Sequence, residues 1–411
     1  MQVFHGITEP GNADFNYYYP TNVLVTGQDI IFFWVARMIM AGMEYKNERP
    51  FEHVYFTGMV RDKQGRKMSK SLGNSPDLLE LIERFGADAV RFGILIAAPA
   101  GNDLLFDDSS CDQGRSFNNK IWNALKLVKM WEEKQSANTN QQSVNFATEW
   151  FENRLNEVKQ QVEELYTQFR LSEALKIIYS LVWNDFCSWY LEWMKPSMDG
   201  SITNADYEKT VDFFEELLQL LHPFMPFVTE EIYHQLKERK EGDDLCIKQI
   251  RPSLRKNDLI LQQGEILKEI ITAIRETRVK NNIKQKDVIS LHIETEDVQA
   301  FNEFESILKK QINAHQVHFV SRPVGDSLNV VVGKLKLYVQ AESPIDNTGQ
   351  KEELKKELDY LKGFLISVDK KLSNERFVQN AKPEVVDVEK KKKQDAEQKI
   401  KAIEESLASL S

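Results

Sequence analysis

The stretch GRKMSKSLGN, residues 65–74, sets Lys67 and Lys70 three positions apart among glycines and hydroxyl side chains. Lysine ammonium groups are compact point charges on flexible stems, suited to following a phosphate as its charge moves. Gly65 and Gly73 leave the backbone free to approach and retreat, while Ser69 and Ser71 offer hydroxyls and amides to phosphate oxygens. The pattern suits a mobile clamp on a phosphate chain, although by composition alone an exposed basic loop without a ligand fits as well. It is not the GxxxxGK[ST] loop, because its glycines flank the lysines at the wrong spacing. The neighbouring sequence has to decide.

On the amino-terminal side, VLVT (residues 23–26) reads as a buried strand, an apolar helix covers about residues 28–44, and HVYFTGMV (53–60) reads as a second strand. Two strands joined by a helix predict a parallel βαβ crossover. The lysine loop then lies beyond the carboxyl end of the second strand, where ligands sit in such sheets. On the other side, Ser75-Pro76-Asp77 predicts an N-cap with proline at the first helical position, and Gly86 closes that helix. Helical spacing dominates residues 112–240, broken at SANTNQQ (136–142) and MDGSIT (198–203), which predicts a bundle. A mixed region follows, with a helix at 262–281, strands at 288–294, 317–321, 328–332 and 334–339, and a helix between the first two strands. Finally, Leu354, Leu358, Leu361, Leu365, Val368 and Leu372 step by four and three. After the break SNERFVQNAKP (373–383), Ala396, Ile400, Ile403, Leu407 and Leu410 repeat the pattern, predicting an antiparallel hairpin of two heptad helices.

A chain of 411 residues exceeds one ordinary core, and scarce glycine and proline beside plentiful aromatics favour helix. Cys111, Cys187 and Cys246 stand far apart with no CxxC pair, which argues against a disulfide framework or a zinc site and for a reducing compartment. No basic and apolar leader opens the sequence. The run IIFFWVARMIM (30–40) is about half a bilayer span and contains Arg37, so it reads as a buried helix. A net charge of -10 excludes a surface coated in basic residues. Polyanions are left to local patches: residues 58–73 carry five basic residues against Asp62, and 275–286 carry five against Glu276.

KMSKSLGN resembles the signature loop of class I aminoacyl-tRNA synthetases. VLVTGQDIIFFWVARMIM, VYFTGMVRDKQGRKMSKSLGN, FGADAVRFGIL, NKIWNALKLV, HPFMPFVTEEIY and RVKNNI follow the order of the valyl-tRNA synthetase family. The resemblance covers nearly the whole chain and implies a mainly α protein with α/β parts. Residues 1–111 would be the C-terminal part of a Rossmann-like catalytic domain and 112–250 a helical anticodon-binding domain. Residues 251–345 would be a small α/β junction and 346–411 a coiled-coil arm that contacts tRNA.

In that family valine is joined to ATP, which brings Mg2+, and the valyl group passes to the 3′ end of tRNA(Val). Carried onto this sequence, the resemblance makes Lys67 and Lys70 the catalytic charges that stabilise the triphosphate in its transition state. ATP would meet Gly27, Asp29, Lys67, Met68, Ser69, Lys70 and Ser71, with the Asp29 carboxylate taking a ribose hydroxyl. Ile30 and Trp34 are candidates for the valine pocket, core packing being the stronger expectation for Trp34. Lys120, Trp122 and Asn123 are placed on the tRNA side, with Lys390, Lys391, Lys392 and Lys393 on the arm, although such a run is more often a solvated face. Leu127 stands where the family tends to have an aromatic residue. WNDFCSWYLEWMKP (183–196) reads as core before stacking platform. His222, His234, His315 and His318 are given no role, and no bound metal is expected.

The family's His-[Ile/Leu/Met]-Gly-His signature and its editing insertion are absent from the sequence. The chain is therefore expected to be a C-terminal portion that does not activate valine alone, and a cytoplasmic monomer with no membrane contact. Two alternatives remain. An isoleucyl-type synthetase is disfavoured by the terminal heptad hairpin, where many such enzymes end in a cysteine-rich zinc module. A coiled-coil interaction protein would make the lysine loop incidental.

Overall fold

The computed structural model of the chain describes residues 11–98, 102–136, 145–197, 200–341, 348–373 and 383–409. It is mostly helical and divides into two compact units, Met1–Asn257 and Asp258–Ser411.

The first unit opens with α1 (Ala13–Tyr18) and β1 (Thr21–Gly27). A tight turn of helix (Gln28–Ile30) and a wide π turn (Ile31–Val35) lead into α2 (Ala36–Lys46) and then β2 (Phe51–Thr57). β1 and β2 pair in parallel, from Thr21 opposite Phe51 to Gly27 opposite Thr57, which is the expected crossover. The expected burial is not found. Val25 is 60% exposed, Phe32 84%, Trp34 59% and Met40 70%. Two strands and one helix can cover each other on one side only, and on the other face Phe169 packs on His53 and Tyr55 of β2 without covering Val25.

The second strand also ends earlier than expected. β3 (Val60–Arg61) turns away at Gly58 and pairs in parallel with β4 (Leu104–Leu105). A side chain at Gly58 would stand 1.8 Å from the Asn102 carbonyl, so the close approach of these segments requires glycine. α3 (Leu78–Phe85) is capped by Asp77, whose carboxylate accepts the Leu79 and Glu80 amides at 2.7 and 3.4 Å. The cap is therefore Asp77, and Pro76 precedes it, because a carboxylate accepts two orphan amides and meets the positive end of the helix. α4 (Ala87–Ala97) and α5 (Asp108–Glu132) close a small core of Leu81, Phe85, Ala89, Val90, Phe106 and Cys111.

The bundle continues with α6 (Phe146–Thr167), α7 (Leu171–Ser180), a π-helical stretch (Leu181–Tyr190), α8 (Leu191–Met194), α9 (Asn204–Leu221) and α10 (Pro226–Leu236). Gln135–Ser136 and Ile202–Thr203, β5 and β6, form a two-residue parallel tie. The centre is aromatic. Trp150, Phe151, Phe186, Tyr190 and Phe213 are buried, and the Tyr190 hydroxyl lies 2.7 Å from Thr210 Oγ1. The 183–196 stretch is thus largely core, with Trp183 and Trp189 half-buried.

α4 fastens the loop-bearing part to this bundle. Arg91 donates to the Phe224 and Pro223 carbonyls at 3.1 and 2.9 Å. Asp88 accepts the Phe227 and Val228 amides at the start of α10.

The second unit contains α11 (Asp258–Lys280), β7 (Ile289–Glu294), α12 (Gln299–Asn302), α13 (Glu305–Gln311), β8 (Ala314–Val320), β9 (Leu328–Val332) and β10 (Leu335–Ala341). The sheet runs β8-β7-β10-β9, with β7 and β8 parallel and the other pairs antiparallel. Ile289, Leu291 and Ile293 are buried on alternate positions of β7, leaving Ser290, His292 and Glu294 on the other face.

α14 (Thr348–Leu372) and α15 (Pro383–Ser409) form the hairpin helices. The expected seam is present: Leu361, Val368, Ala396 and Ile403 are buried, and Leu354, Leu358, Leu365, Leu372, Ile400 and Leu407 are half-buried. The turn sequence and Leu410 lie outside the described residues.

Candidate functional site

β3 carries the lysine loop out of the sheet, and its geometry is set by one acid. Asp62, 7% exposed, accepts the Gln64 and Arg66 amides on Oδ1 at 3.0 and 2.9 Å. Its Oδ2 accepts Arg66 Nε at 2.8 Å and Asn74 Nδ2 at 2.9 Å. These bonds hold the carboxyl at about 2, Asn74 being the largest contributor and the Arg66 amide and guanidinium adding to it. Asn74 reaches back into the loop, accepting the Ser69 amide at 2.9 Å and donating to the Lys67 carbonyl at 3.3 Å. The Met68 amide donates to the Val60 carbonyl at 3.0 Å, and its side chain packs on the small core. Met68 thus anchors the loop through both its side chain and its amide.

Beyond this anchor, Ser69 Oγ caps the short turn Lys70–Leu72 by accepting the Leu72 amide, and it lies 3.1 Å from Ser71 Oγ. Gly73 has φ +60°, the left-handed conformation that lets the chain fold back toward Asn74.

The local excess of positive charge read from residues 58–73 is largely neutralised, by Asp62 within the stretch and by three acids from elsewhere. Arg61 pairs with Asp103, Lys63 with Asp107 at 3.1 Å, and Arg66 with Asp62. Lys67 Nζ stands 3.6 Å from Asp29 Oδ2, joining the loop to the turn after β1. Among the described residues Lys70 has no ion-pair partner. Gly27, at the end of β1, and Asp29 therefore share one rim with Lys67. Ile30 is half-buried, and Trp34 is exposed rather than packed in a core.

The second basic patch, 275–286, is reduced in the same way. Arg278 is 4% exposed and donates to the Lys284, Asp287 and Ile312 carbonyls at 2.8, 3.0 and 2.6 Å, so it closes a turn instead of meeting a polyanion.

On α5, Lys120 Nζ sits 5.4 Å from the Trp183 ring centroid, a cation–π contact. Trp122 is half-buried, and Asn123 is exposed. Trp122 lines an open groove of about 660 Å³ with Lys126, Lys129, Met130, Glu132 and Glu133, so its charge is mixed. On the arm, Lys392 pairs with Glu389 of its own helix at 2.7 Å, and Lys393 crosses the hairpin to Asp369 at 2.8 Å. Lys390 and Lys391 are exposed.

Glu230, His234 and Asp244 bring ligand-type atoms within 4.8 Å of one another. Their bonding has a local purpose. Glu230 accepts the Leu245 and Cys246 amides at 2.6 and 3.1 Å, and His234 Nε2 lies 3.1 Å from Asp244. Among the described residues no helix is long and apolar enough to cross a membrane.

An acid after the first strand of a parallel βαβ unit stands at the lysine loop, which follows the short β3 beyond that unit, and the two signature segments quoted from the sequence thus meet at one rim. Residues 3–107 match the family described as tRNA synthetases class I (I, L, M and V). Residues 148–293 match the anticodon-binding domain of tRNA ligase, and 348–411 the valyl tRNA synthetase tRNA binding arm. These matches place the chain among the class I aminoacyl-tRNA synthetase families.

Among curated relatives, valine–tRNA ligase from Phocaeicola vulgatus is 49% identical over 410 residues, covering 100% of this chain and 46% of that protein. The enzyme from Parabacteroides distasonis is 48% identical over 410 residues with the same coverage. Among solved structures, Mycobacterium tuberculosis methionyl-tRNA synthetase in complex with methionyl-adenylate is 22% identical, with a TM-score of 0.45, covering 58% of this chain and 50% of that one. The chain belongs to the valine–tRNA ligase family and spans about half the length of the curated relatives it matches.

Proposed function

We propose that this chain is the tRNA-reading and loop-bearing portion of a ligase that activates valine with ATP and Mg2+ and transfers it to tRNA(Val). The observation that carries the reading is the ion pair between Lys67 and Asp29, which puts the loop's first lysine at the rim where β1 ends.

In this reading the Asp29 carboxylate accepts a ribose hydroxyl and Gly27 gives the nucleotide access to bare backbone. Lys67 and Lys70 meet the phosphates with the hydroxyls and amides of Ser69 and Ser71. Their contribution is charge aimed at a triphosphate whose negative charge shifts toward the leaving pyrophosphate, so it grows along the reaction. Ile30 and Trp34 border the valine side. Mg2+ enters with the triphosphate. The α5 residues Lys120, Trp122 and Asn123 and the arm lysines Lys390 to Lys393 contact tRNA, where unstacked loop bases suit the groove beside Trp122. We place the protein in the cytoplasm as a monomer.

Equilibrium binding to tRNA(Val), beside the same tRNA with an altered anticodon, at two salt concentrations, tests the reading. Preference for the intact anticodon supports it. Equal binding that collapses with salt leaves only a basic surface and overturns the anticodon assignment.

A further inference from the structure

Asp62 and Asn74 have no place in the phosphate contacts described above, yet most side-chain hydrogen bonds at the neck of the loop pass through them, the Met68 amide on the Val60 carbonyl being a separate tie. The two residues are twelve positions apart, a length that spans roughly 40 Å when extended. Here their side chains meet at 2.9 Å and close the neck of the loop. Each oxygen of Asp62 takes two donors, and Asn74 uses both ends of its amide, one on the Ser69 amide and the other on Asp62 and the Lys67 carbonyl. The backbone immediately before Lys70 and the carbonyl of Lys67 are therefore tied through Asn74 to one buried carboxylate, while the side chains of Lys67, paired with Asp29 across the rim, and Lys70 stay outside these bonds.

We propose that Asp62 and Asn74 are positioning residues that clamp the neck of the loop and aim Lys67 and Lys70 at a phosphate chain, without touching that chain themselves. The proposal rests on the reading of the loop as a phosphate site. It separates this clamp from the hydrophobic anchor, because the core of Leu81, Phe85, Ala89, Val90, Phe106 and Cys111 receives Met68 and includes neither clamp residue.

The hydrogen-bond polarity of the pair supplies the test. Asp62→Asn turns a donor toward the donors Asn74 Nδ2 and Arg66 Nε. Asn74→Asp sets two carboxylates against each other. The exchanged pair, Asp62→Asn with Asn74→Asp, restores a donor-to-acceptor bond across the neck and still accepts the Ser69 amide. Two readouts are taken on the full chain and these three variants: amide hydrogen exchange at Arg66 and Ser69, and affinity for inorganic pyrophosphate by titration.

Each single variant is expected to speed exchange and weaken pyrophosphate binding by about tenfold, the scale of one lost charge-assisted bond, and the exchanged pair to recover part of both, since a carboxylate at position 74 no longer donates to the Lys67 carbonyl. Unchanged exchange in the single variants, or no recovery in the pair, overturns the clamp. So does a parent chain whose Ser69 amide already exchanges at the free-chain rate. If the parent does not bind pyrophosphate, the phosphate reading of the loop fails, and the exchange data alone still decide whether the clamp exists. A general loss of folding would instead appear as faster exchange throughout α3 and α4 and in the exchanged pair as well.

Discussion

Lys67 Nζ and Asp29 Oδ2 lie 3.6 Å apart, so the lysine proposed for phosphate and the acid proposed for ribose hold each other. Their side chains are 59% and 52% exposed, which limits the pair to about 1 kcal/mol or less. Nucleotide binding would exchange this pair for two new partners. Asp29→Asn should therefore leave thermal stability nearly unchanged and strengthen binding of pyrophosphate, which has no ribose, by a few-fold, up to about fivefold. Calorimetric titration reads this directly. Weaker pyrophosphate binding in the variant would mean that Asp29 helps to place Lys67 instead of restraining it.

Two acids of the first unit should give opposite pH signatures. Asp62 is held at about 2, so its contribution is present above the ordinary carboxylate value and is lost as pH falls through about 2. Burial raises Asp88 above its usual value, with the Val228 and Phe227 amides opposing the rise. Folding then favours the protonated form, so stability from this group is full below the unfolded value and declines as pH climbs through the raised one. Thermal unfolding of Asp88→Asn across the acidic range should lack that decline. Asp88→Ala, which uncovers the start of α10, should cost about 1–2 kcal/mol. A parallel pH profile in parent and Asp88→Asn would contradict the assignment.

Arg278 yields a prediction about stability alone. Its guanidinium donates to carbonyls from two separate segments, and burial pushes its pKa down without neutralising it. Arg278→Ala should destabilise the second unit by roughly 1–3 kcal/mol, since the buried Ile312 carbonyl and two part-buried carbonyls lose their donor together. Arg278→Lys should recover only part, because a point charge cannot serve the spread carbonyls as the planar group does. Chemical denaturation checks both. A loss below about 0.5 kcal/mol would show that water replaces the side chain.

These cases show which features were legible in the chain. The β1–α2–β2 crossover and the hairpin seam follow from local periodicity, because each is written in residues that repeat every two, three or four positions. The lysine loop could be read for the same reason, its chemistry lying within ten consecutive residues. Asp62 was passed over as a lone acid in a basic stretch; only the turn-back at Gly73 brings Asn74 to it. The neutralisation of Arg61 and Lys63 was equally hidden, since Asp103 and Asp107 lie more than forty positions on. A local charge count has no term for such partners. Trp34 failed in the opposite sense: an apolar helix was assumed to be covered, and hydropathy cannot say whether anything covers it.

The arm lysines supply a prediction in which position along one helix matters more than charge. Glu389 is 7% exposed although it lies in a hairpin of apolar seam residues, and Lys371 and Lys392 stand 3.7 and 2.7 Å from it. Hydrogen bonds from Lys392 and the charges of both lysines hold its carboxyl below the usual range. Lys393 is drawn across the hairpin to Asp369 at 2.8 Å, whereas Lys391 is exposed on the same helix. If the arm meets tRNA phosphates, Lys391→Ala should lower the slope of log affinity against log salt by up to about 0.9, one released counterion. Lys393→Ala should change that slope less and instead slightly lower the unfolding temperature of the hairpin, as loss of an exposed ion pair does. Binding titrations over a salt series and thermal unfolding of the two variants separate the effects. Equal slopes for parent and Lys391→Ala would return the run to a solvated face, and a larger slope change in Lys393→Ala would mean that tRNA takes this lysine from Asp369.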